Sequence, residues 1–323
     1  MMISREALLS EAVSTGFNAN MLEKVIHLLG LLESLQRHPY LKGKLALKGG
    51  TALNLFHFAL PRLSVDIDLN YIGSVERETM LKERAKVDQA LQAVFQREDF
   101  TVRRSPDEHA GGKWLLRYAS ALGQGGNLEV DVNFMYRLPL FPVRQCDSHG
   151  LGAWEARAIP LLDIHEIAAG KLAALMVRRQ ARDLFDSVHL LRLPEIDTAQ
   201  LRLGFVVYGA MNRKDWRTVG VRDIDFDPAE LASLLLPTLR GVHHMRAAEG
   251  EAYGRELVTE CRRLMSKLLP FSDAERRFLD LLLDRGVIDA SMITEDEEMR
   301  ERIERQPMLA WKASHVRRHL GLD

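Results

Sequence analysis

Cysteine is scarce: the 323-residue chain holds two, Cys146 and Cys261. They stand far apart and form no C-x-x-C spacing, so a disulfide framework is not indicated and a reducing cytoplasm is the expected compartment. An apolar run of about 18 residues is also missing, which argues against a membrane span. The start, Met1-Met2-Ile3-Ser4-Arg5-Glu6, lacks a signal-peptide pattern. Neither sign of charge prevails, with 44 Lys and Arg against 45 Asp and Glu. No global basic field announces a nucleic acid, so any such surface has to be local. Arg178, Arg179 and Arg182 form one candidate patch, and Arg262, Arg263 and Lys267 another; solvated helix faces account for both nearly as well.

Familiar catalytic signatures are missing too. There is no G-x-S-x-G, and Gly170-Lys171 lacks both the earlier glycine and the hydroxyl residue of a Walker motif. His165-Glu166 opens a metalloprotease-like pattern, but position 169 is Ala, so the second histidine is lacking. His243 and His244 are adjacent and would diverge on a helix.

What is present concentrates between Lys48 and Leu69. Leu45-Ala46-Leu47 reads as a short buried strand, and Gly49-Gly50 then opens a helix from Thr51. Glycines permit a tight strand-to-helix turn and close approach of a ligand to the backbone. Free N–H groups and the helix dipole at such a start favour an anion. Thr51 can cap the helix and offer a hydroxyl. A plain turn explains the glycine pair as well, taken alone. Asp66 and Asp68 follow at i and i+2 in an apolar strand, with Asn70 on the same face. Strands disfavour Asp, and two like charges roughly 7 Å apart on one face call for a cation between them. A solvated strand face is the alternative.

A third carboxylate fits this geometry. Leu128, Val130, Val132 and Phe134 alternate with Glu129, Asp131 and Asn133, after the turn-rich Gly123-Gln124-Gly125-Gly126-Asn127. If this strand pairs beside Asp68, Asp131 joins the acidic pair, and the three could hold two metals, Mg²⁺ or Mn²⁺, that bind the triphosphate and activate a hydroxyl for in-line attack on phosphorus. A half-exposed hairpin strand reads equally well.

Further on, Asp163 and Glu166 form a D-x-x-E capping signature before an Ala- and Leu-rich helix. Lys171 and Arg178, seven residues apart, share a face of it. A straight helix would hold Lys171 and Asp186 about 22 Å apart. If both serve one site, the helix must break near Arg179 to Ala181 and fold back.

Taken together, Gly49-Gly50-Thr51-Ala52-Leu53, Arg62-x-Ser64-x-Asp66-x-Asp68-Leu69, Lys171 and Arg182-Asp183-x-x-Asp186 resemble the AbiEii/AbiGii toxin family. That family lies in the polymerase-β-like nucleotidyltransferase superfamily and includes the MenT toxins. The resemblance spans roughly residues 45 to 190, and Pro307-Met308-Leu309-Ala310-Trp311-Lys312 is similar to the family's C-terminal end. It implies a triphosphate held at Gly49, Gly50 and Thr51, metal at Asp66 and Asp68, and a need for Lys171 and Asp186. Asp131 enters as a third metal or catalytic carboxylate mainly through strand alternation. The implied reaction moves a nucleoside monophosphate from an NTP to an acceptor hydroxyl, a tRNA 3′ end, blocking translation. The implied partner is an antitoxin protein of a toxin–antitoxin or phage-defence pair. Two alternatives stand beside it: a protein or small-molecule acceptor, or a non-catalytic nucleotide- or RNA-binding module of the same fold.

A hydrophobic share of 46% supports sizeable cores. The expected class is α+β: a mixed nucleotidyltransferase-type sheet flanked by helices over residues 1–194, then a mostly helical domain over 195–323. Asn20 with Glu23 is expected to cap a helix carrying Leu22, Val25, Ile26, Leu29 and Leu32. Lys82 to Gln96 reads as a second helix. Val102–Arg104 and Trp114–Ser120 read as strands separated by Ser105-Pro106-Asp107. Helices are expected around Pro228–Leu235, Ala247–Leu268, Ser272–Arg285 and Thr294–Glu304.

Overall fold

Every strand read from the sequence forms. The structure, a computed structural model, describes residues 3–106, 111–241 and 247–322; the first two methionines, Asp107 and the His243-His244 pair lie outside the described residues. The chain gathers into two compact units, Met1–Arg137 with Val143–Leu162 and Ala232–Arg246, and Leu138–Pro142 with Asp163–Leu231 and Ala247–Asp323. Both are assembled from separate stretches of chain.

The first unit is the α+β one. In chain order it carries α1 (Arg5–Thr15), α2 (Ala19–Arg37), β1 (Leu45–Lys48), α3 (Gly49–Ala52), β2 (Asp66–Tyr71), α4 (Arg77–Arg97), β3 (Thr101–Arg104), β4 (Gly111–Tyr118), β5 (Gly126–Asn133), β6 (Arg144–Cys146) and β7 (Ile159–Leu161). The strands make one seven-stranded sheet in the order β3-β4-β5-β2-β1-β7-β6. It is mixed: β2 runs parallel to β5 and β1 parallel to β7, while the remaining neighbours are antiparallel.

Strand alternation gives this sheet two unlike faces. Ile67, Leu69 and Tyr71 of β2 lie level with Leu45 and Leu47 of β1 and with Val130 and Val132 of β5, and all are buried. Covering such aliphatic side chains contributes about 1.5–3 kcal/mol each. The opposite face carries Asp66, Asp68, Glu129 and Asp131, which are only half-buried. Helix α2 buries the expected Leu22, Val25, Ile26, Leu29 and Leu32. Its cap differs from expectation. Asn18 accepts from the amides of Asn20 and Met21, and Glu23 instead accepts from Ser120 Oγ and the Ala121 amide, both at 2.6 Å.

Among the described residues, the regular elements of the second unit are all helices. It holds α5 (Ile164–Arg178), α6 (Ala181–Leu190), α7 (Thr198–Ala210), α8 (Pro228–Glu230), α9 (Ala247–Met265), α10 (Asp273–Arg285), α11 (Glu297–Glu304) and α12 (Pro307–His319). Ser272 and Glu275 close a capping box on α10, two orphan amides satisfied at once. At α5 the expected box is only half made. Asp163 caps through the His165 amide at 2.9 Å, whereas Glu166 is drawn inward. Its carboxylate accepts from Tyr208 Oη at 2.8 Å and from the Leu140 and Phe141 amides at 2.9 and 3.3 Å. Among the described residues no helix is long and apolar enough to cross a membrane.

Burial dominates the chemistry of Glu166 and pushes its pKa up to about 7, although the three donors pull the other way. Between the unfolded value near 4.5 and 7, the native state keeps a proton that the unfolded chain releases. Stability from this group is therefore full below pH 4.5 and lost as pH rises toward 7. The loss amounts to roughly 3 kcal/mol. Glu166→Gln keeps the shape and can still serve all three partners. Urea unfolding from pH 5 to pH 8 should show the wild type losing stability relative to this variant; parallel curves would refute the shift.

Candidate active site

The glycine turn is built at the end of β1. Lys48 is extended and makes no side-chain cap. Gly49 then adopts φ +74°, a left-handed conformation, and a Cβ there would collide with the Asp68 carboxylate. Only glycine meets both demands. Helix α3 runs on as a π-helical turn over Leu53–His57. Thr51 does not cap it. Its side chain is fully buried, donates to the Asp66 carbonyl and lies 3.0 Å from Ser64 Oγ. The hydroxyl thus ties the glycine turn to the first residue of β2. Arg62 and Ser64, upstream of the acidic strand, are buried as well.

The register of the sheet assembles the acidic residues. Lys48 is the Cα partner of Asp68, Asp68 of Asp131, and Asp131 of Lys113. Residues so paired share a sheet face, and adjacent strands lie about 4.8 Å apart. A row therefore crosses four strands in the order Lys48, Asp68, Asp131, Lys113. Asp66 sits one face position along β2, level with Glu129. Burial and then the charge of Asp68 raise the Asp131 pKa above the usual carboxylate range, while Lys48 and Lys113 oppose that shift. Lys113 also holds Glu129 at 2.8 Å. That bond, with the charges of Glu129, Asp66 and Asp131 added, raises its own pKa. The three expected carboxylates are brought to one face, but they do not form a closed cage. Among the described residues no three His, Cys, Asp or Glu are placed to hold a metal ion.

A second cluster lies within the helical unit. Helix α5 ends where Arg179 takes the left-handed conformation at φ 55°, and α6 starts two residues later. The break falls where a fold-back requires it. Lys171 Nζ lies 3.1 Å from Asp186 Oδ2 and 2.9 Å from Asp183 Oδ1, and Arg178 holds the other Asp183 oxygen at 3.0 Å. Asp183 and Asp186 are buried. Asp183 was not singled out from the sequence, although its place in R-D-x-x-D was a usable signal. Lys48 and Lys113 were likewise missed, because only strand register places them beside the acidic pair.

Two outcomes follow. Removing one partner of a buried ion pair costs about 3–5 kcal/mol, since it strands the other charges. Lys171→Met should lower unfolding free energy by that amount in urea titration, and a loss below about 1 kcal/mol, the value of a surface pair, would show the cluster to be solvent-relaxed. In the sheet, Gly49→Ala should displace the Asp68 carboxylate and cost about 1–2 kcal/mol of backbone strain. Unchanged stability would mean that the turn relaxes.

Comparison with known proteins bears on both clusters. The family model described as "Nucleotidyl transferase AbiEii toxin, Type IV TA system" matches residues 31–275. Among solved structures, the chain is similar in fold to MenT4, nucleotidyltransferase toxin Rv2826c from Mycobacterium tuberculosis H37Rv, with a TM-score of 0.62 and 20% identity. That likeness covers 96% of this chain and 99% of the other. No curated protein matches the sequence. The family match takes in both the acidic sheet face and the Lys171 cluster, and on its strength the chain belongs to the AbiEii nucleotidyltransferase toxins of type IV toxin–antitoxin systems.

Proposed function

We propose that the acidic sheet face takes a metal-bound nucleoside triphosphate and that the chain transfers a nucleoside monophosphate to the 3′ end of a tRNA. The observation that carries this reading is the row of Lys48, Asp68, Asp131 and Lys113 beside a glycine that leaves no Cβ in the way. Aligned carboxylates without a closed cage suit Mg²⁺ or Mn²⁺, which are held by one or two carboxylates and completed by substrate phosphates. Two of the carboxylates among Asp66, Asp68 and Asp131 would hold the ion, with substrate phosphates completing its shell. When bound, it steadies the phosphates and acidifies the attacking hydroxyl.

The remaining roles belong to the chain. Gly49 and Gly50 let the phosphates approach the backbone, and the buried Thr51 fixes that turn on β2. Lys171 supplies compact positive charge for transfer. Asp183 and Asp186 hold its ammonium in place, Asp186 at 3.1 Å. The tRNA acceptor rests on the family likeness, as does an antitoxin that restrains the enzyme. Acceptors of other kinds are distinguished by where the label goes.

The test is to incubate the protein with each α-labelled NTP, Mg²⁺, total RNA and extract proteins. Label should appear in the tRNA band with one or a few NTPs. Asp68→Asn should abolish it while circular dichroism stays unchanged. Label confined to protein, or undiminished transfer by Asp68→Asn, would overturn the proposal.

A further inference from the structure

Lys48 stands in an unusual place. It is the last residue of β1, immediately before the glycine that touches Asp68, and it opens the charged row. Its Nζ lies 5.5 Å from the centroid of the Tyr136 ring. The backbone that carries this ring is held: the Asn133 side chain accepts from the Met135 and Tyr136 amides at 2.8 and 3.0 Å. Asn133 closes β5 two residues beyond Asp131. An aromatic face thus steadies the ammonium at one end of a row in which its charge acts on Asp131 and whose other end, Lys113, pairs with Glu129.

We propose that Lys48 is a positioning residue that acts as the resident counter-cation of Asp68 and Asp131, competing with the divalent ion and passing its charge to the phosphates when a metal-bound triphosphate arrives. The inference rests on the metal reading given above. A cation fixed next to two carboxylates lowers the attraction of that site for any second cation. It does so most strongly where solvent is partly excluded. Once the ion satisfies the carboxylates, the ammonium stands next to the glycine turn, where the phosphates would arrive. One lysine then weakens binding of bare metal and strengthens binding of metal with nucleotide. It favours loading of the ion together with its substrate.

The measurement uses the full chain and Lys48→Met, with free Mn²⁺ read by electron paramagnetic resonance. Mn²⁺ alone should bind the variant at least about tenfold more tightly than the wild type. Mn²⁺ with inorganic triphosphate should bind it several-fold more weakly. These opposite signs separate a charge role from a structural one, because general damage weakens both. Lys48→Arg should stay close to the wild type in both assays. If Lys48→Met does not fold, Lys48→Gln, still polar and of similar length, carries the same two expectations. Unchanged or weaker Mn²⁺ binding by a folded variant overturns the role of Lys48 while leaving nucleotidyl transfer standing. Wild-type Mn²⁺ binding that ignores Asp68→Asn overturns the metal reading and this inference with it.

Discussion

Repulsion between carboxylates on one sheet face is the constraint from which the rest follows. Asp68 and Asp131 are level with one another on parallel neighbours, and Asp66 lies one face position along. Such an arrangement does not stabilise a sheet, since like charges directly opposite are destabilising. It persists because the other face is a continuous apolar surface, with Ile67, Leu69, Tyr71, Val130 and Val132 all buried. The same strands that hold the core thereby fix the charges on the back of it. A one-residue slip in either strand would exchange the two faces, so the core enforces the register that the chemistry needs.

The helical unit solves a related problem by other means. Asp183 and Asp186 are buried carboxylates, and Lys171 and Arg178 compensate them across the α5–α6 break. Buried pairs of this kind add little net stability against an apolar alternative, yet breaking one is costly because it strands a buried charge. The break depends on Arg179 in a left-handed conformation, which a residue with a Cβ adopts at some cost. Close packing lies further back along α5, away from the exposed residues of the break. Gly204 of α7 sits where a Cβ would come within 3.1 Å of Ala169 on α5.

Much of this was legible in the sequence, for physical reasons. Strict alternation from Leu128 to Phe134 declared both the strand and its core face, and β5 runs Gly126–Asn133. The need to bring Lys171 to Asp186 foretold a break at the right residues. Other features were not legible. Helix α7 carries Gly204, Gly209 and adjacent valines, which blur a helical signal. The short edge strands β6 and β7 have only three residues each, too few for periodicity. Glu23 and Glu166 read as capping partners, yet tertiary donors claimed both. Thr51 read as a cap, whereas its hydroxyl braces the turn against the Asp66 carbonyl. Of the charged row only the meeting of Asp68 and Asp131 was legible, because Lys48 and Lys113 become their neighbours only through register.

The entry to the acidic strand is clamped from far along the chain. The Leu63 amide donates to the Thr238 carbonyl at 2.8 Å, and Arg62 forms a bridge with Leu239. On the ribosome, β1, β2, β4 and β5 all emerge before that clamp exists. A chain interrupted before Thr238 therefore lacks the segment that fixes how Arg62 to Ser64 lead into Asp66. For a protein that harms the cell making it, this wiring places completion of the site late in synthesis. Truncated products then lack the anchored entry to the acidic strand that the full-length toxin has.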